Sequence, residues 1–394
     1  MNQYLKKYKH TRIFFGPGAR LEIEKLAPDL GRKALLATSR GFAKREGFLE
    51  ELVEIFNKLG VHLQVFPGIE PEPLDTTVEN LARQIRKSKP DFLVALGGGS
   101  VIDATKTASA LATLNLEIDK LWGTDRLTPL LDRAGLKLRP LLAIPSTSGS
   151  GSEVTKFAVL YDTREKIKKA IADLALCPNF ALVDPEIMLS MPQGLTISTG
   201  LDALAHLIES FLNQQPGPDW LGPMTSDSVK LILQYLPVAA EHPRLLEPRE
   251  KLALASTCAG IAITFKGTGL PHGFSFAFRE ILPHGLTVAL LLAPCWRYYL
   301  PVVEPQTRAL APLFGINPAL PLSELGEAVF SALENFFRKL GQPARLVEAP
   351  GITNSILKAA VEALLRNPSK LQNSPRPVPE KDARTILMQI LKSA

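Results

Sequence analysis

"LVALGGGSVIDATK", residues 93–106, decides the fold. "LVAL" reads as a buried strand, Gly97, Gly98 and Gly99 form a turn, and "SVIDATK" opens a helical pattern. Strand, turn and helix in that order are the building unit of a parallel α/β sheet. The glycines let the backbone approach a ligand closely, and the amides opening the helix aim the positive end of its dipole at that ligand. This suits a pyrophosphate. Ile102 stands where a G-x-G-x-x-G fingerprint needs its third glycine, and no P-loop Gly-Lys-Ser/Thr is present, so the turn alone leaves a ligand-free bend open.

The same alternation extends outward. "KALLATS" (33–39), "VHLQVF" (61–66), "RPLLAIPS" (139–146) and "KFAVLYD" (156–162) read as strands. "KREGFLEELVEIFNKLG" (44–60) and "TTVENLARQIRKSK" (76–89) are amphipathic at helical spacing. The expectation is a mainly parallel, Rossmann-like sheet with helices on both faces. Beyond Asp184-Pro185 the character changes to helix after helix, broken by Pro and Gly as in "QQPGPD" and "GINPAL". The predicted division is an α/β dinucleotide-binding domain over 1–190 and an all-helical domain over 191–394.

A second stretch strengthens the reading of the glycine turn. "IPSTSGSGSEVT" (144–155) has the composition of a flexible linker but lies between two strand-like runs, where a linker has nothing to separate. Its hydroxyls suit phosphate and ribose oxygens. Both segments follow strands, which places them at the carboxyl edge where open α/β sheets bind ligands. The expected cofactor contacts are Gly97, Gly98, Gly99 and Ser100 at the pyrophosphate, with Asp103, Ser146, Thr147, Ser150 and Thr155 nearby. Lys169, from the basic cluster "REKIKK" (164–169), offers a cation to the same anionic ligand.

Composition narrows the class. The chain is 46% hydrophobic and 21% charged, as packed proteins are. Its 45 basic against 39 acidic residues give a net charge of +6, but the basic residues are scattered without interleaved aromatics, so a solvated surface is expected and no nucleic-acid partner. No apolar run is long enough to span a bilayer, and the opening residues lack an apolar signal core, so no membrane partner is expected. Cys177, Cys258 and Cys295 are far apart and odd in number, which fits neither a disulfide framework nor a zinc CxxC pair. The expected location is cytoplasmic.

The helical half contains "TGLDALAHLIESF" (199–211). On a helix, Asp202 and His206 share one face, and Glu209 follows along the same side. Of six histidines, His10, His62 and His242 read as structural or surface residues. His272 in "GLPHGFSF" and His284 in "ILPHGL" share the pattern Leu-Pro-His-Gly, a turn that presents an imidazole with little neighbouring bulk. Three imidazoles and one carboxylate form a divalent-metal set if the helices converge. Without convergence they are ordinary polar residues.

These motifs, "GGGSVIDATK", "IPSTSGSGSEVT", "TGLDALAHLIES" and "GLPHG…LPHGLTVALLLAP", resemble those of the iron-dependent (group III) alcohol dehydrogenase family. The resemblance extends through "ALVDPEIMLSMP" and "NSPRPVPEKDARTIL" and so spans nearly the whole chain. It implies a dehydroquinate synthase-like scaffold, usually a homodimer, and one divalent metal on Asp202, His206, His272 and His284. Fe²⁺ is the family's usual ion; Zn²⁺ suits the same ligands. Glu209 matches an acidic position that supports structure rather than the metal. The implied reaction is hydride transfer between NAD(P)(H) and an alcohol or aldehyde, with the metal as Lewis acid. A polyol dehydrogenase, or a lyase like dehydroquinate synthase, is the alternative on this scaffold; a non-catalytic binding protein is the rival of another class. Phe276 stands where many members carry a further histidine, which removes a histidine proton relay.

The cofactor expectation is NADP(H) over NAD(H). An acidic residue that accepts from the ribose 2′-hydroxyl selects NAD, and a nearby Arg accommodates a 2′-phosphate. In this family an Asp often follows the early strand. Here the strand ends "ALLATSRGFAK", which puts Ser39 at that position with Arg40 beside it.

Overall fold

A computed structural model describes residues 2–41 and 46–394. The chain divides into two compact units, one formed by Met1–Met191 with Arg244–Thr264 and the other by Pro192–Pro243 with Phe265–Ala394.

The first unit is built on a six-stranded parallel sheet. Its strands are β1 (Arg12–Phe15), β2 (Lys33–Ser39), β3 (His62–Ile69), β4 (Phe92–Gly97), β6 (Leu141–Pro145) and β9 (Phe180–Val183), in the order β1-β9-β6-β4-β2-β3. Side chains alternate between the faces of a strand, and two separate cores follow. Leu35, Ala37, Leu93, Ala95, Leu141 and Ala143 pack on one face with the helices Asp75–Ser88 and Gly99–Leu114. Ala34, Leu36, Phe92, Val94, Leu96, Leu142 and Ile144 pack on the other with the helix Phe48–Lys58. Both faces are covered, which is why these strands read as continuous apolar runs. After β2 and β3 the chain returns to lay β4 on the far side of β2, so the connections leaving β2 and β4 diverge to opposite faces. This is the switch point at which open α/β sheets bind ligands.

One expected strand lies elsewhere. "KFAVLYD" forms β7 (Phe157–Asp162), but it pairs antiparallel with β8 (Ile167–Ala172) in a second sheet of order β5-β8-β7, where β5 is Gly123–Thr124. The cause is local. Asp162 Oδ1 accepts from the amides of Arg164 (2.9 Å) and Glu165 (3.0 Å), and Lys166 takes a left-handed φ of 57°, so the chain reverses tightly.

The second unit is helical, with principal helices Gln193–Leu212, Leu221–Glu241, His284–Tyr299, Leu322–Lys339, Asn354–Leu365 and Ala383–Lys392. Among the described residues no helix is long and apolar enough to cross a membrane. Gln193–Leu212 is buried along most of its length, including Asp202, His206 and Glu209. His284–Tyr299 meets it at Gly285, where an added Cβ would lie 2.8 Å from the Ser198 carbonyl carbon and 2.9 Å from Asp202 Cβ. Only glycine permits that approach, and it seats His284 against Asp202.

Candidate metal centre and dinucleotide cradle

The helices of the second unit converge on Asp202. Its Oδ1 lies 3.9 Å from His206 Nε2, 3.5 Å from His272 Nε2 and 3.6 Å from His284 Nε2. These separations exceed a hydrogen bond. Metal–ligand bonds of about 2.1 Å in a tetrahedron place neighbouring ligand atoms about 3.4 Å apart, and the observed spacing is close to that edge. Asp202, His206 and His272 form a buried group able to hold an ion. Asp202 Oδ1 and His272 Nε2 are buried without a hydrogen-bond partner, and so is His206 Nδ1. Buried polar atoms without partners are uncommon, and Asp202 Oδ1 and His272 Nε2, facing each other 3.5 Å apart, mark a place for a missing ligand, toward which His206 turns its Nε2 rather than its Nδ1. The residues therefore fit a divalent ion. The side chains of Asp202, His206 and His272 are 7–10% exposed while that of His284 is 34% exposed, so the centre opens on the His284 side.

The surrounding chemistry favours the same use. Glu209 Oε1 meets His272 Nδ1, and Glu209 Oε2 accepts from Gly269 N at 2.7 Å. With Nδ1 engaged by the carboxylate, His272 presents Nε2 to the centre. Burial lowers the His206 pKa to about 4, aided by His272 and opposed by Asp202, which leaves its imidazole neutral near pH 7. Burial alone would raise the Asp202 carboxyl, but the facing imidazoles of His206, His284 and His272 hold it well below the usual range.

In the first unit the glycine turn and the hydroxyl loop pack together. An added Cβ on Gly98 would come 3.3 Å from Thr147 Oγ1, and one on Gly99 would come 2.9 Å from Ser150 Cβ. Ser146 N donates to Gly97 O at 3.0 Å, and Ser100 Oγ accepts from Glu72 N at 3.1 Å. Gly97, Gly98, Gly99, Ser100, Ser146, Thr147 and Ser150 thus lie together at the carboxyl ends of β4 and β6.

Asp103 and Thr155 face the protein instead. Asp103 accepts from Ser152 Oγ (2.5 Å) and Val159 N (2.9 Å). Lys106, 1% exposed, donates to Ser152 Oγ (3.0 Å), Thr155 O (2.9 Å), Thr155 Oγ1 (3.1 Å) and Phe157 O (2.9 Å). The hydroxyl loop therefore has two sides: one lies on the glycine turn and the other is tied to the helix Gly99–Leu114.

Lys169 is not brought to the turn. It pairs with Asp162 (2.7 Å) and Glu165 (2.6 Å), over the Trp122 ring. Its neighbour Lys168 points the other way and pairs with Glu72, the residue whose amide reaches Ser100. Period-two alternation within "KIKKAIA" is the signal that separates the two lysines. Ser39 ends β2 beside the switch point, and the exposed Arg40 lies against β3, its Nε 3.5 Å from where a Gly68 Cβ would be.

A glycine turn at the switch point of a parallel sheet and a largely buried cluster of three histidines and one carboxylate are what a metal-dependent, dinucleotide-using oxidoreductase would require. Residues 10–185 match the family model for iron-containing alcohol dehydrogenase, and residues 196–391 match the C-terminal model of the same family. The chain is 30% identical over 386 residues to an NAD-dependent methanol dehydrogenase from Bacillus methanolicus, covering 96% of this chain and 97% of the relative. It is 33% identical over 282 residues to an NADPH-dependent butanol dehydrogenase from Clostridium saccharobutylicum, covering 71% and 70%. Among solved structures, an alcohol dehydrogenase from Oenococcus oeni superimposes with a TM-score of 0.88 at 26% identity, over 97% of this chain and 99% of that one. The chain belongs to the iron-containing alcohol dehydrogenase family. It is an NAD(P)-dependent oxidoreductase acting on the CH–OH group of an alcohol.

Proposed function

We propose that Asp202, His206, His272 and His284 hold one divalent ion, Fe²⁺ or Zn²⁺, and that hydride transfer between alcohol and aldehyde takes place there. The observation that carries this reading is the gathering of three imidazole Nε2 atoms around one carboxylate oxygen, within 3.9 Å. A bound ion supplies Lewis-acid stabilisation of charge on the substrate oxygen. The chain's part is to place its ligands: Asp202 contributes the one negative charge, Glu209 fixes the orientation of His272, and Gly285 lets His284 reach. Phe276 has no proton to move, so water or the substrate's own surroundings must carry the hydroxyl proton.

The cofactor site in this reading is Gly97–Ser100 with Ser146, Thr147 and Ser150, and NADP(H) is preferred over NAD(H). Ser39 brings no carboxylate to repel a 2′-phosphate, and Arg40 adds a charge-assisted contact if it turns inward. The NADPH-dependent butanol relative lends support, while the NAD-dependent methanol relative shows that the family uses both cofactors. We further infer a cytoplasmic homodimer; the family resemblance supports the dimer, and three cysteines, far apart and odd in number, suit a reducing compartment better than a disulfide framework.

The test is metal analysis with initial rates for wild type, His272→Ala and the His272→Ala/His284→Ala double variant. Loss of both metal and turnover in a folded variant is expected. Near-normal turnover in the metal-depleted double variant would refute the ligand set. Net NAD(P)H turnover with a simple aldehyde separates a dehydrogenase from a lyase on the same scaffold.

A further inference from the structure

We propose that Ser275 is a positioning residue of the metal centre: its hydroxyl oxygen accepts from His284 Nδ1–H and so fixes the tautomer and ring direction with which His284 offers Nε2. The inference rests on the ligand set proposed above and gives a residue outside that set a part in the same site.

Ser275 ends the helix Leu270–Ser275, three residues after His272. Its side chain is 2% exposed, and its helix packs on His284–Tyr299. Ser275 Oγ donates to the His272 carbonyl oxygen at 2.8 Å and stands 3.4 Å from His284 Nδ1. One buried oxygen therefore touches the backbone of one ligand candidate and the ring of another.

The direction of each contact follows from counting hydrogens. A hydroxyl has one hydrogen and two lone pairs, and a carbonyl can only accept. The single hydrogen of Ser275 is directed to the His272 carbonyl, so toward His284 the same oxygen can act only as an acceptor. The proton of a neutral His284 ring then sits on Nδ1, which leaves the lone pair on Nε2, the nitrogen 3.6 Å from Asp202 Oδ1. That is the tautomer a metal requires there. His272 reaches it by another device, the Glu209 carboxylate at its Nδ1. His206 lies ring on ring against His272, with centroids 4.5 Å apart and planes 15° apart. His284 meets His272 edge-on, at 5.5 Å and 70°, on the side where the centre opens. The ligand with least packing to set its direction is the one given a hydroxyl. At 3.4 Å the contact is long for an N–H···O bond, so its effect belongs at the low end of the scale for groups that orient metal ligands.

The experiment measures the Zn²⁺ affinity of the full chain by competition against a chromophoric chelator. Four proteins are compared: wild type, Ser275→Ala, His284→Ala and the double variant, with thermal melts of the metal-free forms to check folding. Ser275→Ala should bind Zn²⁺ about tenfold more weakly than wild type, and should cause no further loss once residue 284 is alanine. A second measurement reads the bond itself. With Co²⁺ in the centre, the paramagnetic ion moves the ring N–H protons of its histidines away from the rest of the proton spectrum. The signal that His284→Ala abolishes belongs to His284; it should be present in wild type and lost to exchange with water in Ser275→Ala. Wild-type Zn²⁺ affinity in Ser275→Ala, a loss of equal size in the His284→Ala background, or a His284 N–H signal that persists in Ser275→Ala would each overturn the proposal. If His284→Ala itself binds Zn²⁺ like wild type, the ligand set fails and the proposal with it. If only Ser275→Ala does so, the ligand set stands and the proposal alone falls.

Discussion

Gly285→Ala adds one methyl group at the point where His284 is brought to Asp202. An added Cβ would sit 2.8 Å from the Ser198 carbonyl carbon and 2.9 Å from Asp202 Cβ, with the Ser198 carbonyl oxygen nearer still. Carbon atoms in contact settle at about 3.5–4.0 Å, so the helices His284–Tyr299 and Gln193–Leu212 must part locally by roughly 0.6–1.2 Å. Metal–ligand distances tolerate about 0.2 Å. Repacking absorbs part of the displacement, but not most of it, because both helices are buried here. The variant should fold with about 1–3 kcal/mol less stability, the usual consequence of overpacking. Its affinity for Zn²⁺ should fall by at least about 10–100-fold, the scale seen when a ligand is merely misoriented. The assay is competition against a chromophoric chelator, with thermal melts of the metal-free protein to separate folding from binding. A folded Gly285→Ala variant that binds Zn²⁺ as tightly as wild type would refute the placement of His284 in the centre.

Other outcomes follow from the same geometry. Glu209→Gln removes the carboxylate that holds His272 Nδ1, and should weaken Zn²⁺ binding about 10–100-fold in the same competition assay. Gly98→Val puts a branched side chain against Thr147, 3.3 Å from its first added carbon; the KM for the cofactor should rise steeply in initial-rate assays while metal content stays at the wild-type value. Ser39→Asp should turn the ratio of kcat/KM for NADPH over NADH toward NADH, and an unmoved ratio would count against the role given to residues 39 and 40.

Much of the fold was legible because burial writes itself into sequence. β2 and β4 are covered on both faces and read as apolar runs, and Gly97–Gly99 marks the turn after β4. β9, "FALV", is apolar but only four residues long, and β1 left no such mark. "RIFF" is four residues long and exposed or half-buried, and it is a strand because Arg12–Phe15 pairs in register with Phe180–Val183. That pairing joins residues far apart in the chain, and no local periodicity encodes it. The grouping of Arg244–Thr264 with the first unit is equally non-local. It depends on Gly260, whose Cα lies 2.5 Å from where a Gly151 Cβ would be, so helix backbone and hydroxyl loop touch without side chains between them.

The site shows the same division between what composition marks and what geometry decides. Asp202 and His206 were legible as polar groups four apart on an apolar helix, whereas their meeting with His272 and His284 depends on glycines, and a glycine's purpose is invisible until its neighbour is known. The hydroxyl loop illustrates the point further. Its six hydroxyl residues look equivalent in sequence, yet Ser152 and Thr155 answer the buried ammonium of Lys106, while Thr147 and Ser150 lie on the glycine turn. Lys106 could not sit at 1% exposure without those acceptors. A loop that carries hydroxyls on both sides can at once satisfy an internal charge and leave an outer row for a ligand's phosphate and ribose. Two kinds of demand on one short segment explain a density of Ser and Thr that composition alone assigns to a linker.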